Sequence, residues 1–469
     1  MTGVLWTSAE AATATGGTAT SDWAATGISI DTRTLDAGDL FIALTGPNFD
    51  GNDFVNKAFE AGASAALVKR GVALESRPGL IADDTLQAME SLAVAARARS
   101  DAKIAAITGS VGKTGTKEAL AHVLSSQGEA SYSRGNLNNH WGVPLSAAQM
   151  PANTNFGIFE IGMNRAGEIK PLVGLIKPHV AVITAIASAH REFFESVEGI
   201  ARAKGEIFSS IDGGIAVISH DTEYFSLLSD MALDAGAGEI VSFGQHSGAD
   251  MRLIDSMPDT TGCSIDALWR GEPISYRLEQ PGIHWAHNSL AVLATAEALG
   301  ADMQRAANDL ATIPTLPRRG VVHIIPWEEG TIRLIDDSYN ANPESMNAAL
   351  MTLGLMQPEG GRRVAIIGDM LELGDTSYAA HASLKDSIER NGVDTVFLVG
   401  TEMTALANEL DSNRISATAD TAAALMPAVM SGLKAGDVVT VKASNGTGLS
   451  QIVDALTEPE TFPITSNRN

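Results

Sequence analysis

The chain of 469 residues has one cysteine, Cys263, so no internal disulfide can form and a metal site built from several thiolates is excluded. For that lone thiol the expected role is a small buried apolar one. No stretch approaches the ~20 apolar residues that a membrane span requires. Met1 to Trp6 show no basic segment ahead of an apolar core, so no secretory signal is read there. Lysine- and arginine-rich runs are missing too: 32 basic side chains stand against 56 acidic ones, a formal charge of −24. Duplex nucleic acid and anionic membranes demand a dense cationic face, so neither is an expected partner. A cytoplasmic protein is expected, and a monomer.

What is present is a globular composition, 45% hydrophobic and 19% charged. The length suggests about three domains, each able to bury its own core. The most informative stretch is Ile107-Thr108-Gly109-Ser110-Val111-Gly112-Lys113-Thr114. The apolar run Lys103–Ile107 before it reads as a buried strand. After it, Ala119, Leu120, Val123 and Leu124 recur at three- and four-residue spacing, one face of a helix. Strand, glycine loop and helix let backbone N–H groups and a helix N-terminus hold triphosphate oxygens. Gly109, Ser110, Val111 and Gly112 would then wrap ATP phosphates. Lys113 would reach the β- and γ-phosphates, and the Thr114 hydroxyl would sit on Mg²⁺. The general phosphate-loop pattern puts its first glycine at position 107; this chain has Ile107 there and a shortened Thr-Gly-x-x-Gly-Lys-Thr form. An ordinary glycine turn is the plainer alternative, and the flanking strand and helix argue against it.

An α/β fold of three units is expected. Residues 1–82 hold short runs such as Leu40–Leu44 and Ala65–Val68, with a helix over Phe54–Ala61. Residues 83–313 begin with a helix over Leu86–Arg99. Strands are then expected at 157–161, 180–186, 215–219 and 240–243, separated by helices, which implies a parallel sheet covered on both faces. Met251–Leu278 reads as one or two hairpins, followed by a helix over His284–Leu299. Beyond Pro314-Thr315-Leu316-Pro317, residues 314–469 resume βα units with strands at 332–335, 364–367, 395–399 and 438–441, a second doubly wound, Rossmann-like sheet.

Ligands in open α/β sheets gather at the C-terminal strand ends. Glu160 falls there, where a carboxylate could hold Mg²⁺; pairing with a nearby cation is the alternative. His190 follows the next strand and would face the same crevice. Lys204 lies early in a predicted helix and by itself reads as a solvated lysine.

Several motifs resemble the Mur ligase family in order and spacing. They are Thr108–Thr114, Gly135-Asn136-Leu137-Asn138-Asn139, Glu160-Ile161-Gly162, Ala189-His190, Ala203-Lys204-Gly205-Glu206, Arg319 and Asp336 to Met346. These are ATP-dependent amide-forming enzymes of peptidoglycan assembly. Gly368-Asp369-Met370-Leu371-Glu372-Leu373-Gly374 with His381, and Ser29-Ile30-Asp31-Thr32-Arg33, are most similar to one member. That member joins D-alanyl-D-alanine to UDP-N-acetylmuramoyl-tripeptide.

The resemblance implies a three-domain enzyme: a UDP-substrate domain, an ATP-binding domain and a C-terminal domain. It implies Lys113, Glu160, His190 and Lys204 as the catalytic set, with Thr114, Glu160, His190 and Lys204 as ligands of Mg²⁺. Lys204 would be carbamylated, which turns a cation into an oxygen donor. Asn288 would face adenine, while Trp285 stands where the family has a further asparagine. Arg319 and Asp337 would reach the γ-phosphate and ribose. Ser29, Asp31, Thr32 and Arg33, with Asn136, Asn138 and Asn139, would grip the uridine nucleotide. Tyr339, Asn340 and Asn342 would make dipeptide or closure contacts. Lys442-Ala443-Ser444-Asn445 departs from the family's Lys-Gly-Ser-Arg.

Three other readings carry distinct signatures. A sister ligase taking diaminopimelate would show Asp-Asn-Pro-Arg, which this chain lacks. A folylpolyglutamate synthase-like ligase would share the loop without the N-terminal unit. A phosphate-loop switch without ligase chemistry would leave Glu160, His190 and Lys204 unexplained.

Overall fold

Three large sheets follow one another along the chain, beside a two-stranded ribbon of Trp6–Thr7 and Ala24–Ala25. The computed structural model describes residues 3–187, 191–259, 262–279 and 283–458. The first sheet has five strands, in spatial order Thr18–Ala19, Gly79–Ala82, Ala65–Lys69, Asp39–Ile42 and Gly27–Ser29. All its pairings are parallel except the first.

The second sheet has nine strands. Their order is Glu272–Leu278, Gly262–Trp269, Met251–Asp259, Glu239–Gly244, Ile215–Ser219, Val180–Ile183, Lys103–Thr108, Phe156–Glu160 and Ala130–Tyr132. The pairings from Ala130–Tyr132 across to Met251–Asp259 are parallel, and two antiparallel hairpin pairings complete the sheet. Ile104 to Ile107 are wholly buried, as expected of a parallel strand covered on both faces. Register aligns the strand ends: Glu160 lies opposite Ile107, and Ile183 opposite Thr108.

The third sheet runs Val321–Trp327, Gly330–Asp336, Val438–Lys442, Arg363–Gly368, Thr395–Val399, Ile415–Ala419. It is parallel apart from its first, hairpin pairing. Separate apolar clusters cover its two faces.

Several expectations are revised. The first and second sheets share one apolar cluster, and each has a further cluster of its own. Ala88, Met89, Leu92, Ala93 and Ala96 of the helix Thr85–Ala98 belong to the same cluster as Leu40 and Leu67 of the first sheet and Phe159 of the second. The strand expected over 180–186 stops at Ile183, because Thr184, Ala185 and Ala187 turn their polar groups to the phosphate loop. Lys204 lies in the last turn of the helix Val197–Gly205, not early in it. Ala130–Tyr132, Ile415–Ala419 and Val321–Trp327 were not expected. The last is apolar in sequence but interrupted by Pro326, and it alternates exposed and less exposed residues, as an edge strand that tolerates proline can. Cys263 is buried and free. Among the described residues no helix is long and apolar enough to cross a membrane.

Candidate active site

The phosphate loop is shaped by its glycines. Gly112 has φ +83° and is the N-cap of the helix Lys113–Ser125, with no side chain capping that end. A Cβ there would lie 2.6 Å from Oδ1 of Asn288, and one on Gly109 would lie 1.9 Å from Oγ1 of Thr184. Gly112 is required by its backbone conformation, and Gly109 by close approach as well. The segment after Ile183 clamps the loop from one side. Ser110 N–H donates to Ala185 O at 2.8 Å, the Ser110 hydroxyl to Ala187 O at 3.0 Å, and Thr184 Oγ1 to Val111 O at 2.5 Å.

A cavity of about 450 Å³ opens over this loop. Ser110 to Gly115, Asn136, Asn138, Glu160, Trp285 and Asn288 line it from the second sheet's side. Arg319, Asp337, Tyr339, Asn340, Asn342 and Lys442 line it from the third sheet's side. One chamber thus gathers residues spread over more than 300 positions.

Within it Lys113 folds back to donate to Gly109 O at 2.6 Å. Burial pulls its ammonium below the ordinary lysine value; Glu160 opposes that shift and Arg319 adds to it. Glu160 is 1% exposed. Its Oε1 accepts from Asn138 Nδ2 at 2.7 Å, and its Oε2 is buried without a partner. Lys204 is also 1% exposed. Burial, with Lys113 adding to it, drives its amine well below the ordinary lysine value. Lys113 is therefore near enough to both Glu160 and Lys204 to act on each. His190 lies outside the described residues, as do 188 and 189.

An orphaned carboxylate oxygen in the interior costs several kcal/mol unless a cation meets it. Glu160 Oε2, buried without a partner among the described residues, and the Thr114 hydroxyl line the same cavity, and oxygen donors of this kind suit a hard divalent cation. The residues fit Mg²⁺.

On the opposite wall the Arg319 guanidinium lies over the Tyr339 ring at 4.1 Å. Lys442 donates to Asp337 Oδ2 at 2.7 Å and to Asn340 O at 2.8 Å, fixing both. Sequence reasoning gave Lys442 no role; its partners lie over 100 residues away, in the loop that follows the neighbouring strand Gly330–Asp336. Asn342 caps the helix Pro343–Leu355, its Oδ1 accepting from Ser345 N at 2.8 Å.

A second, larger hollow of about 1950 Å³ lies between the first and second sheets. Ser29, Asp31, Thr32, Arg33 and Lys57 line one side, and Arg134, Gly135, Leu137 and Trp141 the other. Asp31 and Arg33 are paired at 2.6 Å, and the guanidinium holds the Asp31 carboxyl below the usual carboxylate range. Of the three asparagines expected at this groove, Asn136 and Asn138 line the phosphate-loop cavity instead. Asn139 is engaged locally, its Oδ1 accepting from Trp141 N and Gly142 N.

Residues 24–111 match the Mur ligase family catalytic domain, residues 107–296 the Mur ligase middle domain, and residues 323–445 the Mur ligase glutamate ligase domain. UDP-N-acetylmuramoyl-tripeptide–D-alanyl-D-alanine ligase of Rickettsia prowazekii is 36% identical, over 91% of this chain and 94% of its own length. The chain belongs to the Mur ligase family. The enzyme of the same description from Escherichia coli is 35% identical over 81% of this Mur ligase and 82% of its own length. The crystal structure of MurF from Acinetobacter baumannii superposes with a TM-score of 0.83 and 28% identity, covering 96% of this chain and 98% of that one. MurF ligase from Thermotoga maritima in complex with ADP superposes with a TM-score of 0.76 and 27% identity, covering 92% and 96%. The three-domain architecture of the family is the architecture of this Mur ligase.

Proposed function

We propose that this Mur ligase joins D-alanyl-D-alanine to the terminal carboxylate of UDP-N-acetylmuramoyl-tripeptide, converting ATP to ADP and phosphate in a step of peptidoglycan precursor synthesis. The observation that carries the reading is the chamber where the phosphate loop and Glu160 face Arg319 and Asp337, beside a groove large enough for a nucleotide sugar.

The chemistry follows from charge. A carboxylate resists amines because oxide is a poor leaving group, so the γ-phosphoryl is first moved onto it to give an acyl phosphate. Two anions must meet for this, and fixed positive charge at the meeting point is the largest help a site can give. Lys113 supplies such charge from the loop, and Arg319 from the facing wall. Mg²⁺, held by Thr114, Glu160, His190 and Lys204, would add charge neutralisation along the phosphates. The dipeptide amine, in its neutral form, then attacks the acyl carbon, and collapse of the tetrahedral species releases phosphate and leaves the amide. Closure of the chamber by the third sheet's loop Asp337–Asn342 excludes water that would otherwise hydrolyse the acyl phosphate.

Lys204 fits a carbamate. Its amine is neutral at lower pH than an ordinary lysine, and a neutral amine adds to CO₂, losing one proton to become an anionic oxygen donor. Ser29, Asp31, Thr32 and Arg33 are the proposed grip on the uridine nucleotide. Asn288 beside Gly112 is the proposed adenine contact, and Tyr339 and Asn340 are proposed near the dipeptide. All these residues come from one chain, so a monomer suffices, and light scattering of the purified protein would check that.

The test is phosphate release from ATP with and without each of the other two substrates, with mass spectrometry of the product. Release that requires both, with a product heavier by the dipeptide less water, is expected. Hydrolysis indifferent to the dipeptide and the uridine nucleotide would overturn the reading.

A further inference from the structure

Lys117, one helical turn beyond Lys113, is 0% exposed, and nothing in the chemistry above uses it. Its ammonium donates to Ser133 O at 2.6 Å and to Gly135 O at 3.2 Å, and it pairs with Glu118 Oε1 at 2.6 Å. Three donors meet three oxygens, which is all an ammonium can give. A buried charge seldom improves a core, since an apolar side chain of similar volume is often as stable there. Its presence calls for a geometric reason.

The loop it holds supplies one. Residues 133–138 form a partition between the two hollows: Arg134, Gly135 and Leu137 line the groove, and Asn136 and Asn138 line the phosphate-loop cavity. The same loop reaches Glu160 twice. Ser133 Oγ accepts from Glu160 N at 3.3 Å, and Asn138 Nδ2 donates to Glu160 Oε1 at 2.7 Å. Of the loop, Lys117 holds only the backbone carbonyls of Ser133 and Gly135, so the loop's side chains stay free to face outward on both sides.

We infer that Lys117 is a positioning residue that ties the phosphate-loop helix to the partition between the ATP cavity and the uridine-nucleotide groove, keeping Asn138 on Glu160 and Arg134 toward the groove. The inference rests on the ligase reading. An apolar replacement such as Lys117→Met would fill the volume but release both carbonyls. Residues 134–138 would then sample other conformations, while Gly109 to Thr114 would keep their own contacts.

The experiment uses the full chain, with Lys117→Met, Lys117→Gln, Asn138→Ala and the Lys117→Met/Asn138→Ala double variant. Calorimetric binding of UDP-N-acetylmuramoyl-tripeptide without ATP is read beside ATP affinity, kcat and thermal unfolding. Lys117→Met is expected to bind the uridine nucleotide at least fivefold more weakly and to lose at least tenfold in kcat, with ATP affinity within twofold of wild type. The double variant should lose no more kcat than the worse single one, because both act on Glu160 through one loop. Should Lys117→Met fail to fold, Lys117→Gln, which retains a donor, is held to the same expectations. A variant with lowered melting temperature but wild-type nucleotide binding and kcat would overturn the inference, as would losses that multiply in the double variant. Wild-type protein that forms no amide would instead overturn the ligase reading itself.

Discussion

Asn138 holds Glu160 by one oxygen only: its amide donates to Oε1 at 2.7 Å, while Oε2 is buried with no partner. A carboxylate half satisfied in the interior is a stability cost that the fold carries for the sake of a ligand. Glu160→Gln removes the charge and keeps the shape. Without ligands its melting temperature should equal or exceed that of the wild type, whereas turnover should fall at least ~10²-fold, as when one charge-stabilising group is lost. Differential scanning calorimetry and phosphate release check the two halves. A destabilised but active variant would contradict this account of Glu160.

Lys113→Ala separates chemistry from folding in a similar way. The side chain contributes one hydrogen bond to the fold, to Gly109 O, so stability should change by about 1 kcal/mol or less. On the proposed mechanism its loss takes a fixed cation from the γ-phosphoryl, and turnover should become undetectable. Urea unfolding alongside steady-state kinetics is the check.

Much of this arrangement was legible in the sequence, and what was not has physical causes. Strands such as Ile215–Ser219 and Thr395–Val399 announce themselves because parallel strands covered on both faces are continuous apolar runs. The phosphate loop is equally plain, since glycine at 109 and 112 is imposed by backbone conformation. Val321–Trp327 was hidden because Pro326 interrupts an otherwise apolar run, and only an edge strand tolerates a proline there. Lys117 was hidden because a helical lysine reads as solvated unless the acceptors that surround it are known, and here they are carbonyls from residues 133 and 135. Lys442 and Asp337 meet only because the strands Val438–Lys442 and Gly330–Asp336 are neighbours in the sheet. The asparagines of 136–139 were assigned together to one ligand, yet adjacent residues on a loop face different ways.

Gly112→Ala tests the loop's geometry. At φ +83° an L-residue costs roughly 1–2 kcal/mol, and the added Cβ would meet Asn288 Oδ1 at 2.6 Å. The loop and the helix Ile283–Ala298 should be pushed apart, weakening ATP binding at least tenfold with a modest fall in melting temperature. Fluorescence titration with an ATP analogue, read beside a thermal melt, would show it. Unchanged affinity would mean that this close approach does not shape the nucleotide site.

Lys204 gives a pH signature that requires no substrate. Its ordinary value is 10.5, and burial lowers it well below that in the folded chain. Between the folded value and 10.5 the unfolded chain holds a proton that the folded chain has released, so unfolding takes up a proton. Stability contributed by this group is therefore full above 10.5 and lost as pH falls toward the folded value, with a slope of at most about 1.4 kcal/mol per pH unit. Denaturant unfolding in CO₂-free buffer from neutral pH upward should show wild-type stability gaining on Lys204→Met as pH rises, and parallel curves would contradict the depressed amine. Restoring bicarbonate to the wild-type protein at mildly alkaline pH should then raise both Mg²⁺ affinity and turnover, because the carbamate supplies the oxygen that the amine lacks. Lys204→Ala should regain part of that turnover from added short carboxylates. Full activity of Lys204→Ala without either additive would return this residue to a purely structural role.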